Sequence, residues 1–147
     1  ASGGGTQAGL ELGARALNAG YSILGFSPLI VEGGRMKQQA ALAQASADLL
    51  DLRLEIRPDE IWNSTEFVGP AYAEATPAGI EAIRVVAETE GIFLDPVYTG
   101  KAFAGLLRDI RHGVLGRDDT VLFLHTGGVP LLFTYAHELC EDPGPDR

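Results

Sequence analysis

The sequence contains a single cysteine, Cys140, among its 147 residues. One cysteine cannot form an internal disulfide, and a thiol close to a polar C-terminus is more often incidental than catalytic. The chain opens on a glycine run, without the basic and apolar regions of a secretory signal. Both observations favour a reducing compartment, so we expect a cytoplasmic protein.

Positive charge and long hydrophobic runs are also scarce. The formal net charge is −9, which opposes binding to a phosphate backbone, so we expect no nucleic-acid partner. The longest mainly apolar stretch, residues 120–132, is interrupted by His125 and the pair Gly127-Gly128, and it is shorter than the roughly 20 residues of a membrane span. We therefore expect no membrane segment. The histidines have no cysteine or carboxylate at metal-ligand spacing, so no metal site is predicted.

The composition is that of a globular protein, with 46% hydrophobic and 21% charged residues, and the length suits one domain. Strands are expected at residues 21–26, 52–56, 92–94 and 120–125, the last being the clearest because its centre is continuously apolar. A polar and aromatic loop is expected at 58–70. Helices are expected at about residues 6–17, 36–50, 77–90, 100–112 and 130–138, with Thr76 capping the third and Gly91 ending it. This alternation predicts an α/β fold, a three-layer sandwich with a mainly parallel sheet.

Ser2-Gly3-Gly4-Gly5-Thr6 leads directly into the first predicted helix. Glycines let backbone N–H groups approach a phosphate closely, and the helix N-terminus contributes about half a positive charge. The threonine hydroxyl adds a further donor. The segment therefore suits an anion, although a glycine-rich linker would have a similar sequence.

Two further segments follow predicted strands. Leu94-Asp95-Pro96-Val97-Tyr98-Thr99-Gly100-Lys101 and His125-Thr126-Gly127-Gly128 place hydroxyl groups at the carboxyl ends of strands, where ligands collect in parallel α/β sheets. We therefore expect Tyr98, Thr99 and Thr126 to lie around one pocket with the glycine loop. The alternative is structural: Tyr98 packs in the core, Lys101 is solvated and His125 is a hydrogen-bonded structural residue.

Together with Phe67-Val68-Gly69-Pro70-Ala71-Tyr72, these segments resemble the fold-type II enzymes that use pyridoxal 5′-phosphate (PLP). The resemblance is closest to D-cysteine desulfhydrases and 1-aminocyclopropane-1-carboxylate deaminases. It extends from Ser2 to about Glu138, and the run from Leu94 to Lys101 is its most distinctive part. It implies the C-terminal part of a fold-type II (tryptophan synthase β-like) enzyme, with residues 1–138 in its large domain, residues 139–147 as a polar tail, and a homodimeric assembly.

The resemblance also implies roles for individual residues. Gly3, Gly4, Gly5 and Thr6 would bind the cofactor phosphate. Tyr72 and Tyr98 would flank the cofactor and substrate as catalytic residues, and Thr126 would approach the pyridine nitrogen. The position of Thr99 is a glutamate in the deaminases and a threonine in the desulfhydrases, and a hydroxyl there leaves that nitrogen largely neutral, which suits β-elimination.

The chain departs from the family in its lysines, which are Lys37 and Lys101. In the family the Schiff-base lysine and the loop that binds the substrate carboxylate lie upstream of the glycine loop, and Lys101 belongs to a motif that does not supply that lysine. We therefore expect a fragment whose partner is the N-terminal half of the same enzyme. The whole enzyme would be a PLP-dependent lyase that acts on a small amino acid and gives pyruvate, ammonia and sulfide, and this chain alone would be inactive. The alternatives are a catalytically inactive module that binds phosphate or PLP, and an interaction domain without a ligand.

Overall fold

The computed structural model describes residues 4–140, which form two compact units divided between Thr65 and Glu66. Gly3, the first of the predicted phosphate-binding residues, and residues 141–147 of the predicted tail lie outside the described residues. None of the helices in the described part is both long and apolar enough to cross a membrane.

The first unit is a small βαβ arrangement preceded by a helix. Helix α1 covers Gly5–Ala16, strand β1 Leu24–Phe26, helix α2 Arg35–Leu49, a 3₁₀ turn Pro58–Glu60 and strand β2 Trp62–Ser64. The strands are parallel, with Gly25 opposite Asn63. Two alanine-rich helix faces and the chain after α2 form the core, which contains Ala8, Leu12, Ala40, Ala43, Ala47, Ile56 and Ile61. The predicted helices at 6–17 and 36–50 and the strand at 21–26 are confirmed to within a few residues.

The strand expected at residues 52–56 was wrong, and β2 lies instead inside the expected loop at 58–70. The side chain of Gln44 explains the difference. Its Nε2 donates to the carbonyl of Leu54 (3.1 Å), and its Oε1 accepts from the N–H of Ile56 (2.9 Å). One amide on α2 therefore satisfies backbone groups that a strand partner would otherwise satisfy.

The second unit is built on two packed helices, α3 at Pro77–Glu90 and α4 at Thr99–Arg111, and ends in a 3₁₀ turn at Val129–Phe133 and a short helix α5 at Ala136–Cys140. The Thr76 hydroxyl accepts from the N–H of Gly79 (3.1 Å) and caps α3, while Gly91 ends it in the left-handed conformation. Both predicted ends of this helix are confirmed. The core cluster consists of Ile83, Val86 and Leu94, packed against Phe103, Phe123, Leu132 and Leu139.

The strands expected at 92–94 and 120–125 are not formed, because a strand requires a paired neighbour and β1 with β2 make up the whole sheet of the described chain. Leu94 is nevertheless buried, and Phe123 packs edge-on against Phe103 with ring centroids 5.0 Å apart. Leu122 is 91% exposed. The last predicted helix, 130–138, is replaced by the 3₁₀ turn and α5.

Candidate functional site

The first set of candidate residues lies at the start of α1. Gly4 precedes the helix with φ +74°, a left-handed conformation that favours glycine, and its carbonyl accepts from the N–H of Ala8 (3.0 Å). Among residues 4–140, no side chain caps this end, and the first turn contains no acidic residue. The first N–H groups of an α-helix have no acceptor within the helix. Those of Gly5 and Thr6, which are exposed, are therefore directed to whatever lies beyond the helix end.

A buried polar layer lies behind Gly4. A Cβ atom added to Gly4 would be 3.2 Å from Cγ of Gln39 and 3.6 Å from Nη1 of Arg35. Arg35 is only 5% exposed, burial lowers its pKa, and its Nε donates to the Ser27 hydroxyl (3.1 Å). An arginine remains protonated at neutral pH, so a fixed positive charge lies next to the helix N-terminus. Glycine backbone, helix-end donors and a neighbouring cation fit a phosphate group such as that of PLP.

The second set is organised by Asp95, whose side chain is fully buried. Its Oδ2 accepts from the N–H groups of Val97 (2.8 Å) and Tyr98 (2.7 Å), and its Oδ1 accepts from the N–H of Thr99 (2.8 Å). The carboxylate therefore binds three successive backbone donors at the start of α4, where negative charge is favourable. Tyr98 and Thr99 were singled out from the sequence of this segment but Asp95 was not; an aspartate shortly before a helix start is the signal that could have identified it.

Thr99, a predicted cofactor-binding residue, is 2% exposed. Its hydroxyl donates to Oδ1 of Asp95 (2.6 Å) and accepts from the N–H of Asp95 (2.8 Å). The proton of this hydroxyl is thus already committed to a neighbouring carboxylate, and the side chain closes the turn that begins α4.

The predicted catalytic residues Tyr72 and Tyr98 are brought together. Their hydroxyl oxygens are 2.5 Å apart, and their ring centroids are separated by 6.3 Å. Tyr98 is half-buried, whereas Tyr72 is 47% exposed. The hydrogen bond to Tyr98 is the main cause that raises the pKa of Tyr72, and burial contributes less. The pair offers one phenol proton to solvent-accessible space next to the start of α4.

Lys101 is not solvated, contrary to the structural alternative considered for it. It is 1% exposed, and its Nζ donates to the carbonyl of Val68 at 2.6 Å. Burial lowers its pKa, against the opposing influence of the carboxylates of Glu74 and Asp95. An amine in this position cannot reach an aldehyde in solvent without rearrangement of the surrounding chain.

Thr126 is exposed on a turn that is held on both sides. The Nδ1 atom of His125 accepts from the N–H of Gly127 (3.2 Å), so its Nε2 carries the proton and donates to the carbonyl of Phe93 (2.9 Å). On the other side, a Cβ on Gly128 would come within 2.5 Å of Cγ of Asp95. The turn of Thr126 thus packs against the segment that leads to Thr99. His125 is a hydrogen-bonded structural residue, as one interpretation of the sequence expected.

The candidate residues divide between the two units. Gly4, Gly5 and Thr6 belong to the first unit, and the second contains Tyr72, Tyr98, Thr99 and Thr126. Within the second unit, Asp95 links the segment of Tyr98 and Thr99 to the turn of Thr126. The expectation that both sets line one pocket stays a prediction.

Comparison with known proteins agrees with these motifs. The family model described as pyridoxal-phosphate dependent enzyme matches residues 1–127. A D-cysteine desulfhydrase of Salmonella schwarzengrund (strain CVM19633) is 39% identical over 132 residues, which are 89% of this chain and 39% of that protein. A putative 1-aminocyclopropane-1-carboxylate deaminase of Pyrococcus abyssi (strain GE5 / Orsay) is 36% identical over 138 residues, 94% of this chain and 40% of that protein. The crystal structure of an ACC deaminase homologue matches with a TM-score of 0.81 at 38% identity, covering 95% of this chain and 41% of that one.

The chain therefore belongs to the pyridoxal-phosphate dependent enzymes, whose cofactor is PLP. The α/β, fold-type II class predicted from the sequence is confirmed. The chain spans about two fifths of the length of the relatives that it matches.

Proposed function

We propose that this chain is the phosphate-binding and ring-binding part of a PLP-dependent lyase that acts on a small amino acid, with β-elimination from a substrate such as D-cysteine as its reaction. The start of α1 is the observation that carries the proposal, since exposed helix-end donors lie beside a buried arginine. PLP, when bound, supplies the electron sink that makes loss of the α-proton and of a β-substituent accessible.

The side chains around Asp95 support elimination rather than the deaminase chemistry. Both oxygens of Asp95 are occupied by donors of residues 97–99, and the Thr99 proton is committed to Oδ1. Thr126, the exposed hydroxyl of the neighbouring turn, is then the available partner for the pyridine nitrogen. A neutral hydroxyl leaves that nitrogen largely unprotonated, which suits a substrate with a good leaving group.

The tyrosine pair would serve the substrate side. Tyr72 and Tyr98 share one hydrogen bond between their hydroxyls, so the phenol that accepts in it keeps its own proton for another partner. A protonated phenol can donate a hydrogen bond to a substrate or deliver a proton to a departing group. Cytoplasmic location and homodimeric assembly remain part of this proposal.

The lysines favour the second candidate, an inactive PLP-binding module, for the chain when it acts alone. Lys101 is bonded to Val68, and Lys37 is an exposed residue of α2. The lysine of the active enzyme would come from the N-terminal half expected as a partner.

Gly5→Asp tests the phosphate site without weakening the helix. A carboxylate in the first turn stabilises α1 by about 0.3–1 kcal/mol but repels a phosphate dianion. Space is available, since the nearest atom to a Cβ on Gly5 is 4.0 Å away. We expect PLP and inorganic phosphate, measured by calorimetry, to bind about tenfold more weakly, a change of ~1.4 kcal/mol.

Gly9→Ala is the matched control, because a Cβ on Gly9 in the same helix meets nothing within 4 Å. It should leave both affinities unchanged. Equal affinities for the unmodified and Gly5→Asp chains would contradict a phosphate site at this helix end.

A further inference from the structure

The buried amine of Lys101 requires an explanation that the proposed chemistry does not provide. Burying an ammonium group is costly unless it is hydrogen-bonded. Among the described residues, Lys101 has the largest side chain that is fully buried. Its stem passes Gly79 of α3, where an added Cβ would lie 3.7 Å from Cγ of the lysine. The path of the side chain is therefore built into the contact between α3 and α4.

The lysine ends at the loop that carries Tyr72. Its Nζ donates to the carbonyl of Val68, the residue that begins this loop. The loop contains two left-handed residues, Gly69 (φ +77°) and Ala73 (φ +66°). Alanine adopts this conformation only when the surroundings impose it. The carbonyl of Ala73 accepts a hydrogen bond from the Tyr135 hydroxyl, so residues 68–73 are held at both ends.

We propose that Lys101 is a positioning residue that sets the hydroxyl of Tyr72 against that of Tyr98. Tyr98 directly precedes α4 and Lys101 lies in its first turn, so the same helix end provides the partner hydroxyl and the anchor of the loop. Fixing the Val68 carbonyl to this helix end fixes the distance between the phenols. The proposal rests on the proposed function only for the role of Tyr72 at the site.

The test follows the protonation of Tyr72 in the full chain, with no ligand. The chain is labelled with 3-fluorotyrosine, and the ¹⁹F resonance of Tyr72 is assigned by its loss in Tyr72→Phe. Lys101→Met retains the apolar stem and removes the donor. We expect the titration midpoint of Tyr72 to fall to the value found in Tyr98→Phe, and the double variant Lys101→Met/Tyr98→Phe to show no further fall.

Val86→Ala is the control for a general loss of stability, because Val86 is buried in α3 in the core cluster with Ile83 and Leu94. It should leave the Tyr72 midpoint unchanged. A folded Lys101→Met chain with the unmodified midpoint would overturn the proposal, as would an equal shift in Val86→Ala.

Lys101→Arg keeps the proposal testable if the methionine variant does not fold. A guanidinium also donates to a carbonyl, so the arginine chain should fold and retain the unmodified Tyr72 midpoint. A folded arginine chain in which Tyr72 titrates as in Tyr98→Phe would overturn the proposal. Failure of the proposed function would show separately, as unaltered PLP affinity in Gly5→Asp, because the ¹⁹F measurement requires no ligand.

Discussion

Asp95 shows how one side chain can determine the geometry of several neighbours. Its carboxylate binds the N–H groups of residues 97–99 and the Thr99 hydroxyl, which sets the direction in which α4 starts. Tyr98 is thereby turned towards Tyr72, and Thr99 is turned inwards. The resemblance assigned Thr99 to the cofactor, whereas its contacts in the structure are with Asp95.

Thr99→Val tests this arrangement by removing the hydroxyl while preserving the shape of the side chain. The N–H of Asp95 then loses its acceptor in a buried position, which costs about 1–3 kcal/mol. We expect the free energy of unfolding in urea to fall by that amount, and Thr99→Ser to recover most of it.

Thr89→Val makes the same chemical change at an exposed position of α3, where the hydroxyl donates to the carbonyl of Val85 (2.7 Å). Water can replace this bond, so the variant should have nearly the stability of the unmodified chain. If both threonine variants lost the same stability, the buried role of Thr99 would be wrong.

Among the secondary-structure elements, those with local signals were predictable from the sequence. The cap at Thr76, the proline after it and Gly91 adjoin the two ends of α3 in the sequence, so this helix was predicted with both ends. Strands depend on partners distant in the chain. The strand expected at 52–56 was wrong because the amide of Gln44 satisfies its backbone, which no periodicity reveals.

The same distinction applies to the candidate site. The glycine start of α1 was predictable, since loop and helix adjoin in the sequence. The burial of Lys101 was not, because a lysine at a helix start is normally solvated and its acceptor, the Val68 carbonyl, lies 33 residues away in the sequence. The hydroxyl contact between Tyr72 and Tyr98 likewise depends on how residues 68–73 are anchored.

Gly128→Ala tests how the turn of Thr126 is seated. The added methyl group would lie 2.5 Å from Cγ of Asp95 at a residue with φ +96°. We expect the turn to move off the start of α4, the unfolding free energy to fall by more than the roughly 1–2 kcal/mol of left-handed strain alone, and the amide resonances of residues 97–99 to shift.

Gly127→Ala places alanine in the same left-handed conformation, with φ +98°, but its methyl group would meet nothing within 4 Å. Its unfolding free energy should fall only by the cost of the left-handed strain, and the amide resonances of residues 97–99 should not shift. Equal effects of the two alanine variants would show that the turn does not rest on Asp95.

For the whole molecule, family membership and the proposed activity of this chain have different support. The match to residues 1–127 and the TM-score of 0.81 establish the family and the fold. The chain nevertheless spans 39–41% of its relatives' length. Leu122 is almost fully exposed, although residues 120–125 have the sequence of a buried strand. In the proposed function the described residues would provide groups for phosphate, ring and substrate, whereas covalent attachment of the cofactor requires a lysine amine that is free to react.

We therefore expect the chain alone to bind PLP without forming a specific covalent adduct and to release no pyruvate from D-cysteine. Lys101 is 1% exposed and bonded to Val68, and Lys37 lies exposed on α2. Without an anchored cofactor, the positioning that lowers the barrier by several kcal/mol, up to about 7–11, is lost. The purified chain is incubated with PLP and reduced with borohydride, the adducts are mapped by mass spectrometry, and a Lys37→Arg chain identifies surface labelling. Stoichiometric modification of Lys101 together with pyruvate release would contradict both the assignment of Lys101 as a positioning residue and the need for a lysine from another part of the enzyme.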